Sequence, residues 1–140
     1  MSQQATLYLE SHKLLSTWNN ELEFLGFILL ELVDPRGLEQ RGFPCHQAAD
    51  LPAIIDTLHH ACSKPDGRLR RVLDERASRD FEDLLYRCKE IRNSMAHHEL
   101  LDKERIRILQ NVKVQLSGQF QFVIQQAASR FHVHQVCFWT

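Results

Sequence analysis

Four side chains with useful chemistry fall within the segment RNSMAHH, residues 92 to 98: Arg92, Asn93, His97 and His98. Histidine can take or give a proton near neutral pH. Arginine presents a planar fork of donors to a phosphate and can stabilise negative charge that develops in a transition state. Asn93 can donate one further hydrogen bond. With no carboxylate cluster beside them for a metal, these residues suit metal-free cleavage of RNA, in which the ribose 2′-hydroxyl attacks the adjacent phosphate.

The same residues also suit the end of a helix. Histidine and arginine near a helix C-terminus can bond to the last carbonyl groups and complement the helix dipole. Arg92 and His97 are five positions apart, which is about 140° of rotation in an unbroken α-helix, so they cannot share one face. A joint role requires that the helix unwind near Ala96, or that two copies of the segment face each other in a dimer.

Apolar spacing predicts the helices that must position this segment. The first should run from about residue 4 to residue 33, and Pro35 and Gly37 should end it. A loop is expected over residues 34–47. Asp50 is expected to cap a shorter helix that has Pro52 in its first turn and extends to Cys62. The stripe of the first helix consists of Leu15, Trp18, Leu22, Leu25, Leu29 and Leu32.

Two further long helices flank the polar segment. Ser78 is predicted to cap the helix that leads into it, after a brief helical segment around Leu69 to Leu73. Asp102 is predicted to cap the last helix, which should extend to Phe131. The stripe before the segment consists of Phe81, Leu84, Leu85, Cys88, Ile91 and Met95. The stripe after it consists of Ile106, Leu109, Leu116, Phe120, Val123, Ala127 and Phe131.

Length and composition predict one globular domain over residues 1–140, with a core from about 4 to 131 and a short tail from 132 to 140. Apolar residues make up 44% of the 140 residues and the net charge is −1, so no global basic field indicates a nucleic-acid binder. The expected fold is an all-α, up-and-down bundle of four main helices plus a short helix. Scattered cysteines and the absence of a leader or membrane span favour an intracellular protein, with cytoplasm and nucleus not distinguished.

The segment EIRNSMAHHEL, residues 90–100, resembles the marker motif of the HEPN (higher eukaryotes and prokaryotes nucleotide-binding) superfamily. That motif is an arginine, usually a polar residue, and then a histidine about four to six positions later, near the end of a long helix in an all-α bundle. Arg92, Asn93 and His97 match it. The form RNxxAHHE looks most like the HEPN domains found beside PIN-type ribonucleases. The close match covers about 15 residues, and the helix order extends it loosely from about 4 to 131.

This resemblance implies a metal-independent endoribonuclease with no cofactor, in which two copies of the motif line one cleft of a homodimer. Arg92 would bind the scissile phosphate, His97 would act as general acid or base, and Asn93 would position one of them. Many members are toxins, defence factors or RNA-processing enzymes, so a regulatory protein partner is a further expectation. Others keep the fold without the activity, and serve in dimerisation, nucleotide or RNA binding, or partner binding. Many HEPN toxins have a modifiable tyrosine where this chain has Met95, so regulation by that modification is not expected.

Residues outside the motif supply the remaining expectations. His98 is an accessory candidate without an assigned role, and Glu21 and Glu23 of the first helix are candidates to orient the motif. A basic run before the motif helix is a candidate for holding the RNA backbone, with a solvated face as the alternative. It consists of Arg68, Arg70, Arg71, Arg76 and Arg79. No metal site is predicted, because the cysteines and histidines lack the paired spacing of zinc ligands.

Overall fold

The computed structural model describes residues 2–42, 50–96 and 102–131, without the side chains of residues 95 and 96. These residues form six α-helices and, within the described ranges, no strand, so the all-α prediction is confirmed. Four of the helices are long and two are short. In chain order they are α1 (Gln3–Val33), α2 (Pro35–Gln40), α3 (Leu51–Cys62), α4 (Arg68–Val72), α5 (Glu75–Ala96) and α6 (Lys103–Arg130).

Asp34 both ends α1 and starts α2. Its backbone N–H donates to Leu30 O at 2.8 Å, while its carboxylate Oδ1 accepts from Gly37 N at 3.2 Å. Pro35 then occupies the first position of α2, where its fixed φ favours a helix and its missing N–H costs nothing. The predicted loop after Val33 is therefore wrong over Pro35–Gln40, because the residues that stop one helix also begin another.

Aspartate caps confirm two predicted helix starts and correct a third. Asp50 accepts from Ala53 N at 2.9 Å at the start of α3, and Asp102 accepts from Arg105 N at 2.7 Å at the start of α6. The predicted cap Ser78 is wrong. Asp74 caps α5 instead, accepting from Ala77 N at 2.8 Å, so that Ser78 is buried inside the first turn. The brief helix α4 is confirmed.

Helices α5 and α6 run in opposite directions. Near the C-terminal end of α5, Glu90 pairs with Arg105 in the first turn of α6 at 3.4 Å. One turn earlier in α5, Arg87 donates to Gln115, three turns further along α6, at 2.9 Å. The start of α6 therefore lies beside the end of α5, which carries Arg92.

Helices α1 and α3 run in the same direction. The first turn of α3 contacts α1 at Gly26, where a Cβ atom would lie 2.5 Å from Cγ2 of Ile54. Just beyond the two C-terminal ends, Lys64 Nζ lies 3.8 Å from Asp34 Oδ2. This arrangement differs from the predicted up-and-down order, because α3 begins beside the later part of α1 and does not fold back from its end.

The core lies between the four long helices, and the predicted stripes supply most of it. Phe81 of α5 and Phe120 of α6 are fully buried and meet edge to face, with ring centroids 5.6 Å apart at 88°. Trp18, Leu22, Leu25 and Leu29 of the first stripe are also buried. No helix within the described residues has an apolar stretch long enough to cross a membrane.

Candidate functional site

Arg92 continues the core-facing side of α5. It is seven residues after Leu85 and four after Cys88, both fully buried, so the three residues lie along one side of the helix. Arg92 is half-buried there, whereas its neighbour Asn93 is exposed. The sequence therefore places a charged side chain where helical periodicity calls for an apolar one.

The charge of Arg92 has no ion-pair partner among the described residues. The positions three and four residues away on α5 are Cys88, Lys89, residue 95 and residue 96, so no carboxylate can pair with Arg92 along the helix. Glu90, the nearest acidic residue in the sequence, pairs with Arg105 instead. A half-buried arginine without a counter-charge is available to an anionic ligand.

His97 and His98 lie outside the described residues, directly after the last residue of α5, Ala96. Their approach to Arg92 therefore stays a prediction. The two geometries that could bring Arg92 and His97 together, an unwound helix end and a facing second copy, both remain open.

The two carboxylates of α1 that were candidates to orient the motif have partners elsewhere. Glu21 forms an ion pair with Lys113 of α6. Glu23 accepts from Asn19 Nδ2 at 2.6 Å, one turn earlier on α1. Each carboxylate thus has a structural contact, and a role for either in the motif stays a prediction.

The arginines of the basic run divide into two that contact neighbouring helix ends and three that do not. Arg68 donates to Leu32 O at 3.0 Å, and its guanidinium lies over the Phe131 ring, 5.0 Å from the centroid. Arg70 donates to Cys62 O at 3.4 Å, at the end of α3. Both therefore tie α4 to neighbouring helix ends. The remaining three arginines, like Arg68, are exposed: Arg71, Arg76 and Arg79, the last 4.0 Å from Glu75.

Arg76 and Arg79 are far from Arg92. Arg76 and Arg79 lie in the first turns of α5, and a rise of about 1.5 Å per residue separates them from Arg92 by about 24 and 20 Å along the axis. The structure therefore does not bring the basic run beside the motif. An RNA strand would have to extend along α5 to contact both.

The two described cysteines are structural. Burial raises the pKa of Cys62 to about 11 and that of Cys88 to about 12, so both thiols are protonated at neutral pH. Within the described ranges, no group of three or more His, Cys, Asp or Glu side chains is arranged to hold a metal ion. Cys45, His46, His132, His134 and Cys137 lie outside those ranges.

One cluster of side chains is not predicted from the sequence, because its members lie on two different helices. His59 of α3 packs against Tyr86 of α5, with ring centroids 4.5 Å apart, and Lys89 Nζ lies 5.2 Å from the centroid of the Tyr86 ring. Tyr86 and Asn93 are seven residues apart, so this cluster shares a helix face with the exposed part of the motif. Nothing in the spacing of these residues indicates the contact between His59 and Tyr86.

Comparisons with protein-family models, with curated protein sequences and with solved structures find no match for this chain. The case for a function therefore depends on the residues and on their geometry.

Proposed function

We propose that this protein is a metal-independent endoribonuclease of the HEPN type. The observation that supports this proposal most is Arg92: a half-buried cation on the core-facing side of α5, with no counter-charge among the described residues. Structural arginines in this chain have partners, as Arg68, Arg70 and Arg105 do. Arg92 stands next to exposed Asn93 and five residues before His97, the residue types and order of the motif.

The reaction would use the ribose as its own nucleophile. The 2′-oxygen attacks the adjacent phosphorus, the bond to the 5′-oxygen breaks, and the products end in a 2′,3′-cyclic phosphate and a 5′-hydroxyl. His97 takes the proton of the 2′-hydroxyl or gives a proton to the 5′-oxygen, and water exchanges the other proton. Arg92 stabilises the charge that develops on the phosphate. Asn93 positions Arg92 or His97 by a hydrogen bond.

A homodimer would complete the cleft. Arg92 and His97 do not share a face of a continuous helix, and a second copy of the motif supplies the missing partner without unwinding the first. The dimer would have twice the chain mass of 16.4 kDa. Light scattering of the purified chain measures this directly, and a monomer that cleaves RNA would leave only the unwound-helix geometry.

The decisive experiment incubates RNA with the purified chain in EDTA. Cleavage should be lost when the 2′-hydroxyl at the scissile position is methylated. His97→Ala should reduce the rate by about 10²- to 10⁴-fold, the usual contribution of a general acid or base. Arg92→Ala should reduce it by about 10²- to 10³-fold, as the loss of a donor to developing charge does.

Arg41→Ala is the matched control, because Arg41 is exposed at the end of α2 and away from α5. Its rate should stay within about twofold of the parent, as expected for a surface substitution. Cleavage that continues unchanged in both motif variants, or that stops in EDTA, would contradict the proposed mechanism.

A specific observation favours a second candidate, a catalytically inactive HEPN module that binds partners. Large apolar side chains are exposed on the two longest helices: Leu9, Leu14, Ile108, Val114 and Phe122. Such side chains suit an interface between chains. A dimer that binds RNA or a protein partner, but shows no cleavage and no effect of His97→Ala on binding, would support this second function.

A further inference from the structure

A cavity of about 610 Å³ opens between α4 and the C-terminal end of α6. Its volume is within the range of small-molecule binding sites. Among the described residues, its lining is Arg71, Val72, Gln126, Ser129, Arg130 and Phe131. This cavity lies far from the motif, because the end of α6 is about 38 Å along the helix axis from Arg105, which pairs with Glu90 of α5.

The lining residues bring two positive charges together without a negative one. Among the described residues, Arg71 and Arg130 line the cavity, no aspartate or glutamate lines it, and neither arginine has an ion pair. Some other exposed arginines do have such pairs, as Arg107 has with Glu104 at 2.6 Å. Two unpaired guanidinium groups around one cavity repel each other, and an anion between them would relieve that repulsion.

Helix ends alone do not account for this arrangement. A cation in the last turn of α6 is favourable, because the C-terminus of a helix carries about half a negative charge. That partial charge is too small to balance two arginines. One of the last carbonyl groups of α6 also has a hydrogen-bond donor already, since Phe131 N donates to Ala127 O at 2.9 Å.

One wall of the cavity is held in place by contacts already made. Arg68 donates to Leu32 O at 3.0 Å and lies over the ring of Phe131. This contact fixes α4, which carries Arg71, relative to the end of α6, which carries Arg130. The backbone positions of Arg71 and Arg130 are therefore fixed relative to each other before any ligand arrives, which reduces the entropy lost on binding.

We propose that this cavity binds a phosphate group, held by Arg71 and Arg130 and oriented by Gln126 and Ser129. Two guanidinium forks match the charge and the several oxygens of a phosphate better than those of a single carboxylate, and the amide and hydroxyl provide further donors. The phosphate belongs to a free nucleotide or to an RNA strand. The inference does not depend on ribonuclease activity.

Calorimetric titration of the full chain with inorganic pyrophosphate tests the site. Pyrophosphate should bind, and Arg71→Gln and Arg130→Gln should each weaken binding by about tenfold or more, as expected for a lost hydrogen bond to a charged group. Arg41→Gln, which removes an exposed arginine outside both the cavity and the basic run, should change it by less than about twofold. Thermal melting of each variant checks that the fold is intact.

Two further titrants distinguish the sources of the phosphate. ADP that binds at least as tightly as a 5′-phosphorylated RNA tetranucleotide supports a free nucleotide, and tighter binding of the tetranucleotide supports an RNA strand. In either case Arg71→Gln must weaken binding.

The proposal is overturned if millimolar pyrophosphate gives no binding, or if Arg41→Gln weakens binding as much as Arg71→Gln, since that would indicate diffuse attraction. Loss of pyrophosphate binding in Arg92→Ala would place the anion at the motif and also overturn it. Failure of the ribonuclease assay leaves these results unaffected, so the two proposals can fail separately.

Discussion

The imidazole of His59 packs against the phenol ring of Tyr86, with centroids 4.5 Å apart and planes tilted by 42°. This contact joins α3 to α5. Burial lowers the pKa of His59, and the positive charge of Lys89 lowers it further. The negative charges of Glu82 and Asp56 raise the pKa, but the net shift is downward. The Nε2 atom is buried and has no hydrogen-bond partner among the described residues. The interface therefore favours the neutral imidazole.

This environment predicts how stability changes with pH. Because the pKa of His59 is lower in the folded chain than its ordinary value of 6.5, the unfolded chain binds more protons between those two values. Stability should therefore fall as the pH decreases from 6.5 through that window. Urea unfolding measures the free energy of unfolding at pH 7.5 and at pH 5.5. Its decrease between these two pH values should be smaller in His59→Gln than in the parent, because glutamine does not titrate.

His60→Gln is the matched control for this measurement, since His60 is the adjacent residue on α3 but is exposed. In His60→Gln the free energy of unfolding should decrease between pH 7.5 and pH 5.5 by as much as in the parent. An equally large decrease in His59→Gln would show that His59 does not contribute to the pH dependence of stability.

Arg68, although exposed, should stabilise the fold more than an arginine that has no contact with a neighbouring helix. Arg68→Ala removes the bond to Leu32 O and the contact with Phe131. Hydrogen bonds from charged donors contribute about 1.5–3 kcal/mol and exposed cation–π contacts about 0.5–1 kcal/mol, so a loss of about 2 kcal/mol in the free energy of unfolding is expected. Arg76→Ala should change it by less than about 0.5 kcal/mol. Equal effects of the two substitutions, measured by urea unfolding, would contradict this role for Arg68.

Local sequence signals located most of the helices. The apolar stripe of α1 and the aspartate caps of α3 and α6 depend on residues that are close in the sequence. The positions of these helices can therefore be predicted from the sequence alone. Ser78 shows the limit of this reasoning. Asp74 and Ser78 are both suitable caps, and α5 begins at the earlier one, which leaves Ser78 buried in the first turn of the helix.

The packing of one helix against another cannot be predicted in the same way. Periodicity shows which side of a helix is buried but not which helix covers that side. The sequence therefore does not predict that α1 and α3 run in the same direction. The same limit applies to the candidate sites. The sequence predicts one basic surface from five arginines that are close in the chain, yet Arg68 and Arg70 donate to carbonyl groups of neighbouring helices. Arg130, which joins Arg71 at the cavity, is distant in the chain.

The role of Asp74 as the N-cap of α5 can be tested directly. Asp74→Ala removes the carboxylate that accepts from Ala77 N at 2.8 Å, and should reduce the free energy of unfolding by about 1 kcal/mol. Asp80→Ala is the matched control, because Asp80 is an exposed aspartate within α5 with no capping bond, and should change it by less than about 0.5 kcal/mol. Chemical denaturation provides both values. An Asp74→Ala protein as stable as the parent would restore Ser78 as the candidate cap.

The Phe81–Phe120 pair should contribute more than its buried area. Each ring is fully buried, so Phe81→Ala and Phe120→Ala should each cost about 3–5 kcal/mol. A double-mutant cycle with Leu substitutions, which keep the fold, should give a coupling of about 0.5–1.5 kcal/mol for the edge-to-face contact. Phe122→Leu, at an exposed position on α6, should show no coupling to Phe81→Leu. A coupling near zero for Phe81 and Phe120 would show that only burial matters at this contact.

Cys62 and Cys88 should resist alkylation in the folded chain. With pKa values raised to about 11 and about 12, their thiolate fractions at pH 8 are about 10⁻³ and 10⁻⁴, and burial further limits access by the reagent. Iodoacetamide labelling followed by site-resolved mass spectrometry should show both residues unmodified in buffer and fully modified in concentrated urea. The urea sample is the control, because unfolding restores ordinary thiol pKa values and exposure. Labelling in buffer at the rate seen in urea would mean that the α3–α5 interface opens far more readily than its packing implies.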